Sequence, residues 1–414
     1  MAVYKLLSQS PAQLTQLSLD QKLTAVGFNS GNLLFEEAVR AQIEGEEISR
    51  AQIRDIDPAS TLVMCLANYI SPSDRAADAI AGLCKEIESR KLEKLVLVGV
   101  GAQQDGFEFG FPDIPKEIQY FTRLVSERTT SIGVRGYFTA DLLSSWGIKN
   151  VKVIGCPSVY QPMPDGPFDE AGDNAPSRIA IGCTLTGHFR DSLSRLLGLA
   201  VASDAAYIAQ TERFPFLEMH AFESHYYSLQ CKHDVLDQWF KRRAKIFFDV
   251  NEWVEYYRQH VDFYVSSRFH GVVAALYAGV PSLPMVFDSR TRELVEFFGM
   301  PYIFLKDVDQ FADFGQLYRL ADFSAFFAAL PHKRASYHQF LKENGLTLHG
   351  AMSEAARPGQ VTDDCGAMSV RLKTLASYVD LVEAGVWSSA MLRDKVATLF
   401  NHDRSRAQRA EHNV

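Results

Sequence analysis

An arginine and a histidine stand two residues apart after an apolar run that is typical of a strand. The run ends near Val265, and Arg268 and His270 follow closely. A helix N-terminus carries unpaired N–H groups and about half a positive charge, and a guanidinium can bind an anion through two hydrogen bonds. The segment therefore predicts a site for a phosphate or a carboxylate. The alternative is that Arg268 pairs with an acidic side chain and His270 is only a polar residue of the turn.

The helix predicted after this loop has clear start and stop signals. Ser266 and Ser267 are residue types that cap a helix start, and Gly279 followed by Pro281 is typical of a helix end. Gly271 lets the helix lie close to a sheet because it has no side chain. We therefore expect the N-terminus of this helix to face a ligand cleft.

A second arginine follows a short apolar run in the first half of the chain. Arg135 comes directly after residues 131–134, and Gly136 opens the next predicted helix. Because ligands of open parallel sheets bind outside the carboxyl ends of the strands, Arg135 can point across the same cleft at an anion. The structural alternative is an arginine that ties a loop to backbone carbonyl groups.

Polar residues in further loops are weaker candidates, and each has a purely structural alternative. Gly31 permits a tight turn between Asn29 and Asn32, whose amides can donate hydrogen bonds. Gln103 ends a Gly-x-Gly-Ala-Gln sequence that lacks the third glycine of a dinucleotide fingerprint, which argues against nicotinamide binding. Four residues of the second half are cleft candidates by topology alone: His188, Arg190, Gln210 and Glu212.

These loops connect short apolar runs that alternate with helical segments. The predicted strands cover residues 61–67, 94–99, 131–134, 151–154, 178–182, 206–209, 245–248, 263–265, 282–286 and 302–304. Near-continuous apolar strands separated by helices indicate parallel sheets that are covered on both faces. The alternation breaks over residues 161–177, which hold four prolines and two glycines and are typical of a linker.

We therefore predict an α/β protein with two Rossmann-like parallel-sheet domains that face a cleft, followed by a helical C-terminal extension. The boundaries are 1–160 for the N-terminal α/β domain, 161–177 for the linker, 178–306 for the C-terminal α/β domain and 307–414 for the extension. A chain of 414 residues is long enough for two or three domains.

Composition excludes several classes of function. The formal net charge of -8 argues against a general nucleic-acid-binding protein, although a local basic pocket remains possible in an acidic chain. The six cysteines include no closely spaced pair and are typical of buried, reduced thiols in a cytosolic protein. The first residues lack the apolar core of a signal peptide, and we expect no membrane-spanning segment. No P-loop, Gly-x-Ser-x-Gly or histidine metal motif is present.

In combination, the loops resemble the polysaccharide pyruvyl transferase family. The resemblance rests on three blocks in the same order: residues 29–33, residues 132–141 with 151–157, and residues 266–271 with 278–281. It covers most of the chain between residues 25 and 306. Two positions depart from the family pattern. Phe269 stands where the family commonly has an aliphatic residue, and Gly31-Asn32 stands where it commonly has Gly-Asp.

The resemblance implies a fold similar to the GT-B glycosyltransferases and a transfer reaction from phosphoenolpyruvate. The pyruvyl group would move to sugar hydroxyls of a polysaccharide or its precursor, forming a pyruvate ketal and releasing phosphate. The family's donor-site arginine and its Arg-x-His block correspond to Arg135, Arg268 and His270, with His270 as the proton carrier. The substrate-binding candidates are Ser267, Phe269, Gly271, Asn29, Gly31, Asn32, Gln103, His188, Gln210 and Glu212.

The N-terminal domain is then expected on the acceptor side and the C-terminal domain on the donor side. We expect phosphoenolpyruvate as the donor substrate and a sugar, oligosaccharide or lipid-linked glycan as the acceptor. We expect neither a cofactor nor a metal ion. The expected location is the cytoplasm, with peripheral association at the inner membrane face as a variant of it. Two alternatives stay open: a GT-B-type nucleotide-sugar glycosyltransferase, and a non-catalytic sugar- or phosphate-binding protein on the same fold.

Overall fold

The computed structural model describes most of the chain up to residue 349 and a few residues beyond it. The described residues are 2–7, 11–104, 111–164, 168, 176–185, 189–212, 233–349, 379, 382, 388–393 and 396. Most of the predicted linker and the whole of residues 350–378 lie outside this set, so the predicted domain boundaries stay a prediction.

The N-terminal sheet is parallel in the part of the chain that the structure describes. Its strands are β1 Val3–Leu6, β2 Glu46–Ile48, β3 Thr61–Met64 and β4 Lys94–Leu97, in the order β2-β1-β3-β4. Two further strands, β5 Ile132–Val134 and β6 Val151–Val153, pair in parallel with each other. The Val100 N–H donates to the Gly133 carbonyl over 3.0 Å, which joins β5 to the chain just beyond β4.

Strands β1 and β2 are missing from the sequence-based prediction because they are short and partly charged. Two of the three β2 residues are glutamates, and Lys5 stands inside β1. Lys5 is nevertheless buried, since its Nζ donates to the carbonyl oxygens of Arg40 at 3.2 Å and Ile43 at 3.0 Å. These hydrogen bonds offset the cost of burying its ammonium group.

The C-terminal sheet is also parallel, and its strand order reverses once. Its strands are β7 Ile179–Gly182, β8 Ala206–Ala209, β9 Ala244–Ile246, β10 Phe263–Ser266, β11 Ser282–Val286 and β12 Ile303–Phe304. The described order is β12-β11-β10-β7-β8-β9, so the chain runs outward from β7 on one side and from β10 on the other. The neighbours β7 and β10 therefore define a topological switch point.

Helices connect the strands and cover the sheets. They are α1 Pro11–Leu14, α2 Leu19–Ala25, α3 Asn32–Gln42, α4 Asp74–Arg90, α5 Lys116–Glu127, α6 Tyr137–Ser145, α7 Arg190–Ala202, α8 His233–Arg243, α9 Val250–His260, α10 Phe269–Ala278, α11 Ser289–Phe298, α12 Phe314–Tyr318 and α13 Ser324–Glu343. The predicted fold class, an α/β protein with parallel sheets, is confirmed in the described part of the chain. Among the described helices, none is long and apolar enough to cross a bilayer.

The chain beyond residue 306 returns to the N-terminal sheet. The Tyr337 hydroxyl at the middle of α13 donates to Oε1 of Gln42 over 2.8 Å. Just after α13, the Asn344 Oδ1 accepts from Thr129 Oγ1 at 2.9 Å, and the Thr347 carbonyl accepts from Glu44 N at 2.9 Å. Helix α13 therefore ties the two halves together. The two sheets also share one apolar cluster, which runs from Val63 and Val96 to Ile181 and Val265.

Candidate active site

The switch point between β7 and β10 opens into a cavity of about 250 Å³ that is lined from both halves of the chain. Most of the predicted site residues line it: Asn29, Asn32, Arg135, Gln210, Ser267, Arg268, Phe269 and His270. The sequence-based prediction did not include Asn68, Thr184, Thr211, Phe287, Arg290, Thr291 and Leu294, which line it as well. The structure thus brings together residues that are far apart in the sequence, such as Asn29 and Leu294.

Other predicted residues lie behind the cavity or away from it. Glu212 lies behind Arg268 and contacts it. Gln103 does not line the cavity, and its N–H donates to the Ile70 carbonyl over 2.8 Å. His188 lies outside the described residues.

The predicted Asn-Gly-Asn turn is built by its own amides. Asn29 Oδ1 accepts from the Gly31 N–H at 2.9 Å, and Asn32 Nδ2 donates to the Val26 carbonyl at 2.9 Å. A Cβ at Gly31 would collide with the Gln210 amide and lie 3.2 Å from the His270 Cβ. Glycine is therefore required here by close approach across the cleft and not by its backbone angles, since its φ is −61°.

Gly271, in the first turn of α10, also allows a close approach between neighbouring elements. A Cβ there would collide with the Tyr264 hydroxyl and lie 3.0 Å from Nε2 of Gln210. The predicted close packing of α10 against the sheet is therefore observed, and it brings the first turn of α10 against β10. Nε2 of Gln210 is buried and makes no hydrogen bond to a described residue.

The start of α10 differs from the predicted serine cap. Arg268 is the N-cap residue, and no side chain caps this helix. Ser266 Oγ accepts from the Arg268 N–H at 2.9 Å, and Ser267 Oγ accepts from the Thr184 N–H at 2.7 Å. The two serines stabilise the turn before the helix, which leaves the first N–H groups of α10 for the cavity.

Arg268 is held by a buried acidic partner. Its guanidinium pairs with the Glu212 carboxylate and also donates to Thr211 Oγ1 at 2.8 Å and to the Cys183 carbonyl at 3.2 Å. The Glu212 carboxylate also accepts from the Gln210 N–H at 3.1 Å. The ion pair is almost closed to solvent, with 8% and 6% of the two side chains exposed. The charge of Arg268 is therefore largely balanced before any ligand binds.

Arg135 forms no ion pair with any acidic side chain among the described residues. Its Nε donates to the Gly99 carbonyl at 2.9 Å, and Nη1 donates to Oδ1 of Asn68 at 3.1 Å. Nη2 is buried and makes no hydrogen bond within the described part of the chain. A buried donor without a partner costs about 1–3 kcal/mol. Only 3% of this residue is exposed, so Arg135 presents a desolvated positive charge and an unused donor at the cavity.

His270 lines the same cavity and is buried. It is 8% exposed, and its Nε2 lies 3.6 Å from the Cys156 Sγ. Burial holds the pKa of His270 well below its usual range, and the charges of Arg135 and Arg290 lower it further. The empty cavity therefore disfavours the imidazolium, and a negative charge beside the ring would favour it.

Arg290 is a third cation that the sequence-based prediction missed. Its Nε and Nη2 donate to Oδ2 of Asp288 at 2.9 and 2.6 Å. Asp288 is the N-cap of α11, and its Oδ1 accepts from the Thr291 N–H at 2.8 Å. The signal was the Asp-Ser-Arg-Thr start of a helix directly after a buried strand, the same strand-loop-helix arrangement that pointed to Arg268.

The cavity is therefore suited to a small anion beside a histidine whose pKa responds to nearby charge. Arg135 supplies an unbalanced charge, α10 supplies N–H groups, and His270 supplies the titrating group. In the described residues, no group of three His, Cys, Asp or Glu side chains has the arrangement of a metal site.

The comparisons with known proteins agree with the resemblance found in the sequence. A family model described as polysaccharide pyruvyl transferase matches residues 29–289. No curated protein matches the chain.

Several solved structures show weak similarity over much of the chain. The S. aureus MnaA-UDP co-structure has a TM-score of 0.40 at 12% identity, and the match covers 83% of this chain and 97% of that one. A putative UDP-N-acetylglucosamine 2-epimerase from Listeria monocytogenes has a TM-score of 0.34 at 11% identity, with coverage of 90% and 94%. Similarity of this size bears on neither activity nor substrate.

Proposed function

The chain belongs to the polysaccharide pyruvyl transferase family, and on that premise we propose that it transfers the pyruvyl group of phosphoenolpyruvate to sugar hydroxyls. The product is a pyruvate ketal that bridges two hydroxyls, and phosphate is released. The observation that carries the proposal is that Arg135, whose buried Nη2 makes no hydrogen bond to a described residue, lines the same cavity as His270.

The charge balance of the cavity supports an anionic donor. Arg268 and Arg290 each contact a carboxylate, whereas Arg135 hydrogen-bonds only to an amide and a carbonyl. The described cavity therefore carries excess positive charge at Arg135. Phosphoenolpyruvate offers a phosphate and a carboxylate, and either group can accept from Nη2.

The size of the cavity favours a three-carbon donor over a nucleotide-sugar. Drug-sized ligands occupy pockets of roughly 300–1,000 Å³. The cavity at the switch point has about 250 Å³, which suits a small anion. A nucleoside diphosphate sugar is several times larger than phosphoenolpyruvate, so it would extend far outside the described lining.

The reaction needs a proton at one carbon and loses protons from two hydroxyls. In the first step, the imidazolium of His270 gives a proton to the methylene carbon of the donor, and a sugar hydroxyl oxygen bonds to the neighbouring carbon. The proton of that hydroxyl returns to the now neutral His270. In the second step, another hydroxyl bonds to the same carbon, the bond to the phosphate oxygen breaks, and phosphate leaves with the second proton.

His270 must be protonated before the first step. A bound trianion beside the ring offsets the burial and the two arginines, and it raises the pKa of the imidazole. Donor binding and proton uptake are therefore coupled, so the acid forms only in the occupied site. Arg135 and the N–H groups of α10 hold the phosphate and carboxylate while the charge redistributes.

The test is a donor panel read by calorimetry and by phosphate release. We expect the protein to bind phosphoenolpyruvate, and to release inorganic phosphate from it when a mixture of glycan acceptors is added. Arg258→Ala, which changes an exposed arginine on α9, is a control variant. It should bind phosphoenolpyruvate as the parent does. Release of a nucleoside diphosphate from a nucleotide-sugar would instead identify a glycosyltransferase. Binding of donors without any product would identify a sugar- or phosphate-binding protein.

A further inference from the structure

A buried glutamate stands behind Arg135 and contacts the helix that follows it. Glu293 lies on α11, outside the cavity lining, and is 6% exposed. Its Oε2 accepts from the Thr139 N–H at 3.0 Å, and its Oε1 accepts from Thr139 Oγ1 at 2.8 Å. Thr139 is in the first turn of α6, which begins two residues after Arg135. A carboxyl group from the C-terminal half thus caps the helix that follows Arg135 in the N-terminal half.

Glu293 and Arg135 both pack closely against glycine residues. A Cβ at Gly136 would lie 2.5 Å from the Cβ of Glu293 and 2.8 Å from its Cγ. A Cβ at Gly101 would lie 2.9 Å from the Cδ of Arg135 and 3.2 Å from Oε1 of Glu293. The two glycines therefore allow the arginine and the glutamate to lie side by side.

The protonation state of this glutamate bears on the charge of the cavity. Burial raises the pKa of Glu293 to about 8, although the hydrogen bonds from Thr139 and the charge of Arg135 act in the opposite direction. The other charged group that acts on it is Asp288, which raises the pKa further and is itself paired with Arg290. Near neutral pH the carboxyl is thus mostly uncharged.

We propose that Glu293 is a positioning residue that holds Arg135 through α6 and, as a neutral acid, leaves the guanidinium charge free for an anion in the cavity. Ionisation of Glu293 places a carboxylate beside that guanidinium and weakens anion binding. The choice of phosphoenolpyruvate as the probe rests on the proposed function, but the titration of Glu293 does not.

The experiment follows the affinity for phosphoenolpyruvate by calorimetry from pH 7 to pH 9. The second ionisation of a phosphate lies near 6, and burial raises the pKa of Tyr264 and of Cys183 to about 12, outside this range. In the proposed function His270 takes up a proton with the donor, so it adds a loss of affinity with pH that the parent and the variant share. We expect the ionisation of Glu293 to cost the parent a further fivefold or more in affinity as the pH rises through 8. Glu293→Gln keeps the shape and an acceptor but cannot ionise, so it should lose clearly less affinity than the parent over this range.

Two further variants separate position from charge. Glu293→Ala removes the acceptor for both Thr139 donors, and it should bind more weakly than the parent at every pH. Glu296→Gln changes another buried glutamate of α11, which contacts Arg292 and Tyr302 instead, and it should keep the parent's pH dependence. If Glu293→Gln loses affinity with pH as the parent does, or Glu293→Ala binds like the parent, the proposal is wrong.

A measurement without a ligand keeps this proposal apart from the proposed function. The infrared carbonyl band of a protonated carboxylic acid should persist at pH 7 in the parent, disappear with a midpoint near pH 8 and be absent from Glu293→Gln. A parent that shows this band but binds no phosphoenolpyruvate contradicts the proposed donor and leaves the neutral glutamate established. A parent without the band at pH 7 overturns the proposal on Glu293.

Discussion

Arg268 and Glu212 form a buried ion pair at the edge of the cavity, and this pair distinguishes Arg268 from Arg135. The sequence suggested two arginines of similar purpose, one for each anionic group of a donor. In the folded chain, Arg268 is balanced by a carboxylate, whereas Arg135 has an unpaired Nη2. We therefore expect substitution of Arg268 to change mainly the stability of the fold, and substitution of Arg135 to change mainly the affinity for a ligand.

Arg268→Ala should mainly destabilise the fold. It leaves the Glu212 carboxylate buried without its partner, which costs about 3–5 kcal/mol. The double variant Arg268→Ala with Glu212→Ala should lose less than the sum of the single changes, as measured by urea unfolding. Arg258→Ala, which breaks an exposed pair with Glu255, should cost no more than about 1 kcal/mol. Additive losses in the double variant would contradict a coupled pair.

Arg135→Ala should mainly weaken donor binding. Removal of the guanidinium takes away the charge that no carboxylate balances by direct contact in the described cavity, and a loss of about 2–5 kcal/mol in binding free energy is expected. Arg135→Lys keeps the charge but loses the fork geometry, so it should bind with intermediate affinity. Calorimetry with phosphoenolpyruvate checks both variants. Unchanged binding by Arg135→Ala would place the donor elsewhere.

His270→Asn should reduce turnover far more than donor affinity. The asparagine cannot titrate, so a loss of roughly 10²–10⁴-fold in kcat is expected. In the parent, a bound trianion raises the pKa of the histidine above its low value in the empty site. As the pH rises, kcat of the parent should therefore decline at a higher pH than kcat/KM does. His260→Asn, an exposed histidine of α9, is the matched control.

A different result for His270→Asn would assign the histidine another role. If the variant no longer binds the donor but its residual activity keeps the parent's pH profile, His270 is a phosphate ligand. The acid would then be sought at Glu212 or at His188.

Gly31→Ala should lower donor affinity without unfolding the protein. The new methyl group would push against the Gln210 amide and the His270 Cβ, and so shift the wall of the cavity. Gly147→Ala is the control: it adds strain at a φ of +82° on the surface and has nothing within 4 Å. The control should lose stability in thermal unfolding and keep its donor affinity. Equal affinity in Gly31→Ala and the parent would show that the wall can adapt.

Asp262→Asn should weaken the pairing of β7 and β10 at neutral pH but not in strong acid. Hydrogen bonds from Arg178 lower the pKa of Asp262 to about 2. The stability from this carboxylate is thus present above its unfolded pKa near 3.9 and is lost as the pH falls through 2. We expect a loss of about 1–2 kcal/mol at pH 7, reduced because the pair is partly exposed. Asp55→Asn, at an exposed pair with Arg54, should change little.

The sequence by itself determined most of the strands and most of the loops that line the cavity. Buried parallel strands are near-continuous apolar runs, so β10 and β11 could be found from their side chains alone. Arg135, Arg268 and His270 follow such runs directly, and carboxyl ends of parallel strands meet at one edge. Strands β1 and β2 were missed because hydrogen bonds and pairing with neighbours, not their own apolar character, keep them in the sheet.

Only the tertiary structure decided how the charges are paired. The partnership of Arg268 with Glu212, and the place of Glu293 behind Arg135, join residues from different strands and helices that no local pattern relates. The protonation states follow from the same packing, since burial lowers the pKa of His270 and raises that of Glu293. The desolvation of a group depends on all the atoms packed around it in the folded protein. The pKa shifts of His270 and Glu293 therefore could not be predicted from the sequence.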